Sequence, residues 1–548
     1  MKKIFILFIC VASGACSEDN FLQEETVGEL TPEQALALEN VEGVIISAYS
    51  ILNGQIDQAT NAFNSPASNW SFGDVLSDDA YKGGGGTGDQ NQIHQMEIYN
   101  TDPTIIDVQR KWLALYEGVN RANQAIRLLN ASEEFDTELK AQRIGEMRFL
   151  RGHFYFELKK IYNQIPYVDE TAESLEDYNV SNTALSSDQL WQKIEEDFQA
   201  AFTALPDAQD EPGRATKWAA QAYLTKTYVF QEKWTEASAT ADEVINSGQY
   251  SLMDNFRDVF LPENDNGLEI IFAIQYSIND GSPRNFNGGI GDRLAPPGGP
   301  FYPQYGFHRP TQNLINAYKT NTDGLPILDN VDVTEDDFVD PRLDHTTARP
   351  GIPYLDLDSL YSESWARDLA TYGPYGPKKR VVSANSSSYL PVWPYVNALN
   401  YYIIRYADLL LWKAEAAIEL GDLESGRQYI NQVRERAMNS EYVTMLDGSV
   451  AANYLVQLYA SFASYDEAIT ALRTERRLEL AHEGHRFFDL VRWGIAAEVI
   501  DDYLEVERTR RTHLAGAQFE AGKHEYMPIP QAQVDLVGTD LIQQNSGY

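Results

Sequence analysis

Cysteine is nearly absent: two in 548 residues, Cys10 and Cys16, so no disulfide framework can organise the fold. Long apolar runs are missing as well. The stretch from Ile4 to Ala12 falls far short of the ~20 residues that span a bilayer as a helix. Basic side chains are scarce, with 43 Lys plus Arg against 81 Asp plus Glu and a net charge of −38. Phosphate-rich partners depend on basic groups that release counterions, which argues against nucleic acid. The same field repels a polyanionic glycan unless a local basic pocket overrides it, and so favours a neutral or cationic ligand. Catalytic signatures are equally thin. There is no G-x-S-x-G elbow and no phosphate-binding G-x-x-x-x-G-K-[ST] loop. His482 and His485 stand three apart around Gly484, whereas a helical zinc site needs its histidines four apart on one face. Gly83, Gly85 and Gly88 satisfy G-x-G-x-x-G formally, but no apolar strand or helix frames them, so a mobile loop is expected. Paired carboxylates for glycoside cleavage carry no signal among 81 acidic residues.

What is present suits a large folded chain: 43% hydrophobic and 23% charged residues can bury a sizeable core. Lys2 and Lys3 precede the Ile4 to Ala12 run, and Ser13-Gly14-Ala15 leads into Cys16, the layout of a bacterial export signal. This segment resembles a lipobox, with Ser13 where an aliphatic residue is usual. The expectation is a signal over 1–15, an acylated Cys16 as lipid anchor and a tether over 16–30. Each buried acyl methylene contributes about 0.8 kcal/mol to membrane attachment. Ser17-Glu18-Asp19 is similar to the signal that sends Bacteroidetes lipoproteins to the outer face of the outer membrane.

Periodicity sets the organisation. Val108, Trp112, Leu115, Val119, Ala122, Ile126 and Leu129 recur at threes and fours, which predicts an amphipathic helix over 108–131. Further helices are expected over 136–165, over 190–205 and as two hairpins, Arg214 to Ser247 and Arg405 to Met438. Both hairpins match the ~34-residue tetratricopeptide period, with Ala237, Ala414 and Gly426 near the crossing points. The periodicity fails between Gln249 and Tyr402, where 15 of the 23 prolines lie. A loop-rich insertion with short helices and small strands is therefore expected. The predicted fold is mostly α: a helical-hairpin scaffold over 31–248 and 403–548, with an irregular insertion over 249–402 carrying the ligand-binding segments.

Three blocks carry a family resemblance. Arg151-Gly152-His153-Phe154-Tyr155-Phe156-Glu157-Leu158 with Ile165-Pro166, Arg405-Tyr406-Ala407-Asp408 through Ala416, and Glu475-Arg476-Arg477 through His485-Arg486 are similar to helices of the SusD/RagB family. The ending Gln544-Asn545-Ser546-Gly547-Tyr548 also resembles that family's. The resemblance implies a non-catalytic surface lipoprotein that captures a glycan, or in some members a peptide, and works with a SusC-like TonB-dependent transporter. It implies no cofactor and no metal. The rival reading from another class is a surface glycoside hydrolase. The three blocks themselves are expected to be scaffold, with charges in 475–494 pairing along the helix.

For the site, sugar rings stack their C–H faces on aromatics while hydroxyls seek polar partners. Pro296 to Pro310 presents Phe301, Tyr302, Tyr305, Phe307 and Arg309 among five prolines and three glycines. Trp365, Tyr372 and Trp393 follow in similar loops, and Trp70 with Asp78 and Tyr81 forms an N-terminal cluster. These nine, Trp70, Asp78, Tyr81, Tyr302, Tyr305, Arg309, Trp365, Tyr372 and Trp393, are the candidate contacts, each of which could instead pin a loop to the scaffold. Asp78-Asp79 and Asn264-Asp265-Asn266 read as solvated acidic loops without EF-hand spacing. Arg309, Lys378, Lys379 and Arg380 could form a local basic pocket.

Overall fold

The computed structural model describes residues 32–56, 62–303 and 305–548. The expected signal, tether and Cys16 anchor lie outside the described residues. Helix makes up 48% of the chain and strand little, so the fold is mostly α.

Helices Leu38–Ser50, Ile106–Ala131, Thr137–Tyr162, Ser187–Ala204, Lys217–Val229 and Trp234–Asn246 pack each on the next. Their starts are set by side-chain caps that satisfy otherwise orphaned amides. Asp136 accepts from Leu139 N at 2.9 Å, Ser186 and Gln189 form a reciprocal capping box, and Thr216 accepts from Ala219 N. The next scaffold helix, Tyr406–Glu419, packs directly on the 234–246 helix although about 160 residues separate them in sequence. Leu423–Asn439 and Tyr465–Leu480 then continue the stack. The scaffold thus runs through as though the insertion were absent.

Close packing explains its glycines. A Cβ on Gly118 would overlap the Phe154 ring, and one on Gly152 would sit 3.0 Å from the Phe198 ring. Phe198 in turn stacks on Tyr223 with centroids 4.5 Å apart, inside the main core.

The insertion is rooted by two strands, Ile270–Ile274 and Tyr401–Arg405, paired antiparallel. Its ends therefore sit side by side. Beyond that stem it builds a smaller apolar core from Tyr302, Tyr354, Tyr361, Trp365, Tyr389 and Tyr402. Short strand pairs tie it elsewhere: Ala80–Gly83 with Phe307–Pro310, and Thr347–Ala348 with Gly376–Pro377.

The 475–494 block departs from its expected form. The helix stops at Leu480, His482 and Gly484 adopt positive φ, and a second helix runs Arg486–Arg492. Its charges pair mainly across elements. Glu479 meets Arg405 at 2.6 Å, Arg342 at 3.0 Å and Arg436, while Glu475 meets Arg342 at 2.7 Å and Arg434 at 3.0 Å. Arg476 reaches Asp408 at 2.8 Å and Arg492 reaches Glu415 at 2.6 Å, and only Arg492 to Asp489 is an internal pair of the expected kind. The reason is burial: these carboxylates lie inside, where each needs a fixed cationic partner, and a partner one turn along the same helix suits an exposed face.

Candidate functional site

The nine expected contact residues divide sharply by exposure. Trp70 is buried, with Nε1 donating to Gly291 O at 3.2 Å. Asp78 is buried between Arg486 at 2.9 Å and Arg477 at 2.8 Å. Burial alone would raise its carboxyl, but the two guanidinium groups outweigh burial and hold it low. Its neighbour Asp79 is pushed up by burial, only partly offset by Arg477. This segment is thus an ion-paired interior turn rather than the solvated acidic loop expected. Asp265 is likewise tied down, accepting from the Tyr402 hydroxyl at 2.9 Å.

Tyr81 is buried and donates its hydroxyl to Glu507. Tyr302 donates to Val382 O at 2.9 Å, and Arg309 donates to the Tyr361 hydroxyl at 3.0 Å and Gly373 O at 3.2 Å. Trp365 packs on Tyr361 and Tyr354 with centroids 5.1 and 5.4 Å away. Tyr372 is buried beside Tyr81 and His513. All seven pin loops to the interior. Loops without regular hydrogen-bond ladders are anchored here by large rings, each of which removes much apolar area from water.

Two of the nine reach the surface. Trp393 is 49% exposed, and Tyr305 is half-buried. Tyr395, two residues beyond Trp393, sets its ring edge-on to Tyr305 at 6.3 Å. The guanidinium of exposed Arg284 lies 5.7 Å from the Trp393 ring. Arg293 is held between Phe63 at 5.2 Å and Tyr305 at 5.8 Å, and its Nε and Nη1 have no acceptor. Together the exposed Trp393 ring, with Arg284 over it, and the half-buried Tyr305 and Tyr395 form an aromatic ledge, with Arg293 buried beneath Tyr305. Tyr395 is not among the nine candidates, though it lies in the same proline-rich loop as Trp393, and Arg284 and Arg293 carry no sequence signal beyond their charge.

Near the ledge lies a recess of about 40 Å³, lined by Ser68, Trp70, Asp292, His308, Arg380 and His482 among others. It holds a water or two at most. His308 and His482 stack there at 4.2 Å, both with positive φ, and His308 Nε2 meets Asp74 at 2.9 Å. Burial first, then the neighbouring His308, pushes His482 well below its usual value, so it is neutral. His485 instead opens the 486–492 helix, and no cluster of three metal-ligating side chains occurs among the described residues.

The glycine loop is also more ordered than expected. A strand, Ala80–Gly83, does precede it, and the Lys82 ammonium donates to the carbonyls of Gly83, Gly86 and Asp89 at 2.8, 3.0 and 2.6 Å. A loop that turns carbonyl oxygens inward holds a cation and has the wrong polarity for a phosphate. The expected basic pocket does not form as a unit: Arg309 and Lys379 are buried among protein acceptors, and Arg380 faces Asp292 at 3.4 Å.

The architecture is a helical-hairpin scaffold that carries a loop-built aromatic ledge. Comparison places it more narrowly. The profile of the SusD family matches residues 268–548, about half the chain, and a second profile described as "Starch-binding associating with outer membrane" matches 38–229. The chain belongs to the SusD family. Relatives include SusD-like protein P25 of Formosa agariphila, 25% identical across all of this chain and 98% of the relative. A SusD-like protein of Bacteroides ovatus is 24% identical over 70% of this chain and 65% of its own. Among solved structures, a laminarin-binding SusD-like protein superposes with a TM-score of 0.69, 24% identity, and coverage of 93% of this chain and 99% of its own. Surface glycan-binding protein A of Bacteroides thetaiotaomicron, in complex with laminarihexaose, gives 0.70 at 21% identity over 92% and 99%. These likenesses establish the shared fold.

Proposed function

We propose that this protein captures oligosaccharides at the cell surface without cleaving them and passes them to a SusC-like TonB-dependent transporter. The observation that carries the reading is the exposed Trp393 ring with the Arg284 guanidinium over it, in the same loop as Tyr395, whose ring meets Tyr305. An exposed ring with a neighbouring guanidinium donor suits the apolar and hydroxyl surfaces of a pyranose. The adjoining recess is too small for a sugar, so the ligand lies across the ledge. Family membership and the glycans named for related structures support the same reading. Acylation at Cys16 would hold the ledge outside the outer membrane, and intact-mass measurement of the membrane-extracted protein tests that step.

The binding test is a glycan-array screen followed by Trp393→Ala. Affinity is expected to fall at least tenfold with an unchanged melting temperature, because the ring contributes contact but little core. Unaltered binding would reject the ledge, and release of new reducing ends from polymer would favour a hydrolase.

A further inference from the structure

Segment 377–382 separates two concavities. Pro377, Lys379, Arg380 and Val381 line the small recess, whereas Lys378 and Val382 line a cleft of about 570 Å³. That volume lies within the usual range of ligand pockets, roughly 300–1,000 Å³. The cleft has a cationic floor. Lys378 is 3% exposed and donates to Pro353 O at 2.8 Å, with no carboxylate in ion-pair reach among the described residues. Arg257 lines the same cleft, donates to Lys379 O at 2.6 Å and likewise has no carboxylate partner there. Burial is the main cost at both; at Lys378 the nearby Asp344 carboxylate offsets part of it while Arg257 adds to it, and at Arg257 the more distant Asp356 and Asp258 offset part of it.

Other buried cations differ in their surroundings, and a missing carboxylate is not peculiar to Lys378: Lys226 lies over the rings of Phe156, Tyr223 and Trp412 with no carboxylate in ion-pair reach among the described residues. Arg405 meets three glutamates. Lys82 is wrapped by three carbonyls, and Lys111 donates to Pro66 O beside a void of only about 20 Å³. At the cleft, the carboxylates Glu263 and Asp356 stand exposed at the rim. Water and salt screen them, while the desolvated floor keeps its field. Neutral donors, Ser386, Asn385 and Thr444, share the walls, and Tyr442 offers a 42% exposed ring.

We propose that this cleft is a second binding site, for a saccharide that carries a carboxylate or sulfate group. The anion meets Lys378 and Arg257, hydroxyls meet Ser386, Asn385 and Thr444, and a ring face packs on Tyr442. A bare inorganic anion would leave most of 570 Å³ empty, which is why the charge must arrive on a larger molecule. The site goes beyond the ledge, and its existence does not depend on the ledge binding anything.

The test titrates the mature protein with three tetrasaccharides: a hexuronate, a sulfated galactan and a neutral glucan. At least one charged probe is expected to bind more tightly than the neutral one. Which of the two binds identifies the source of the anion. Binding should weaken roughly tenfold in Lys378→Met and in Arg257→Gln, remain in Trp393→Ala, and fall as salt rises from about 50 to about 500 mM. Hydrogen exchange on the unaltered protein guards against misfolded variants, with protection expected at 353–356 and 442–444. The proposal is overturned if neither charged probe exceeds the neutral one, if protection appears only at 391–397, or if inorganic sulfate displaces the bound saccharide at equal concentration. Loss of binding in Trp393→Ala alone would locate the ligand on the ledge.

Discussion

At the residue scale, aromatic type and aromatic role come apart. Trp365 and Trp393 lie in similar loops, yet one is 5% exposed and the other 49%. Trp365→Ala is therefore expected to cost about 3–5 kcal/mol in denaturant unfolding, a core penalty that Trp393→Ala avoids. Sequence could not separate them, because Pro- and Gly-rich loops give no period from which to read a buried face. Asp107 supplies a second residue-scale prediction. It is fully buried, accepts from Asn64 at 3.0 Å on one oxygen, has no partner on the other, and burial pushes its carboxyl up to about 7. With the folded value above the unfolded one, the group costs stability as pH rises from near 4 to near 7. Asp107→Asn should remove that loss, so its melting temperature gains on the wild type at pH 8 and not at pH 4.

At the scale of elements, the turn after Leu480 is fixed by contact between two backbones. Gly484 N donates to Asp74 at 3.0 Å, and a Cβ at Gly484 would overlap Ser68 O. Gly484 also has φ +78°, so Gly484→Ala combines strain with collision. A loss of about 2 kcal/mol or more is expected by thermal unfolding. The helices were far more legible than this turn. Those over 106–131, 137–162 and 187–204 fall within a few residues of their predicted spans because their apolar faces repeat at helical spacing. The partners of Glu475 and Glu479 were not legible. A charge pattern along one helix cannot reveal that Arg342, Arg405 and Arg434 arrive from elsewhere. The anion-ready cleft was hidden for the same reason, since Arg257, Lys378 and Tyr442 meet only in three dimensions.

At the scale of the whole molecule, net charge misleads about interior and surface alike. Many of the 81 acidic groups are paired inside. Arginines and lysines hold Glu479 at about 2 against burial, Arg476 and Arg492 do the same for Asp489, and histidine hydrogen bonds do so for Glu97. With folded values below unfolded ones, their stabilisation is complete above about pH 4.5 and is lost as pH falls toward 2. Unfolding by circular dichroism should therefore be steep between pH 4 and 2, and neutralising Glu479 by Glu479→Gln should lower stability at pH 7 by about 3–5 kcal/mol through the arginines it strands.

The stem formed by Ile270–Ile274 and Tyr401–Arg405 has a reach beyond its ten residues. Because the excursion starts and ends at one doorway, its contour can lengthen or shorten with only a slowly growing entropic penalty, and the stacked hairpins beneath need not shift. Length can therefore change between the excursion's fixed ties to the frame, the 80–83 and 307–310 strand pair and the Arg342 ion pairs, without moving those ties.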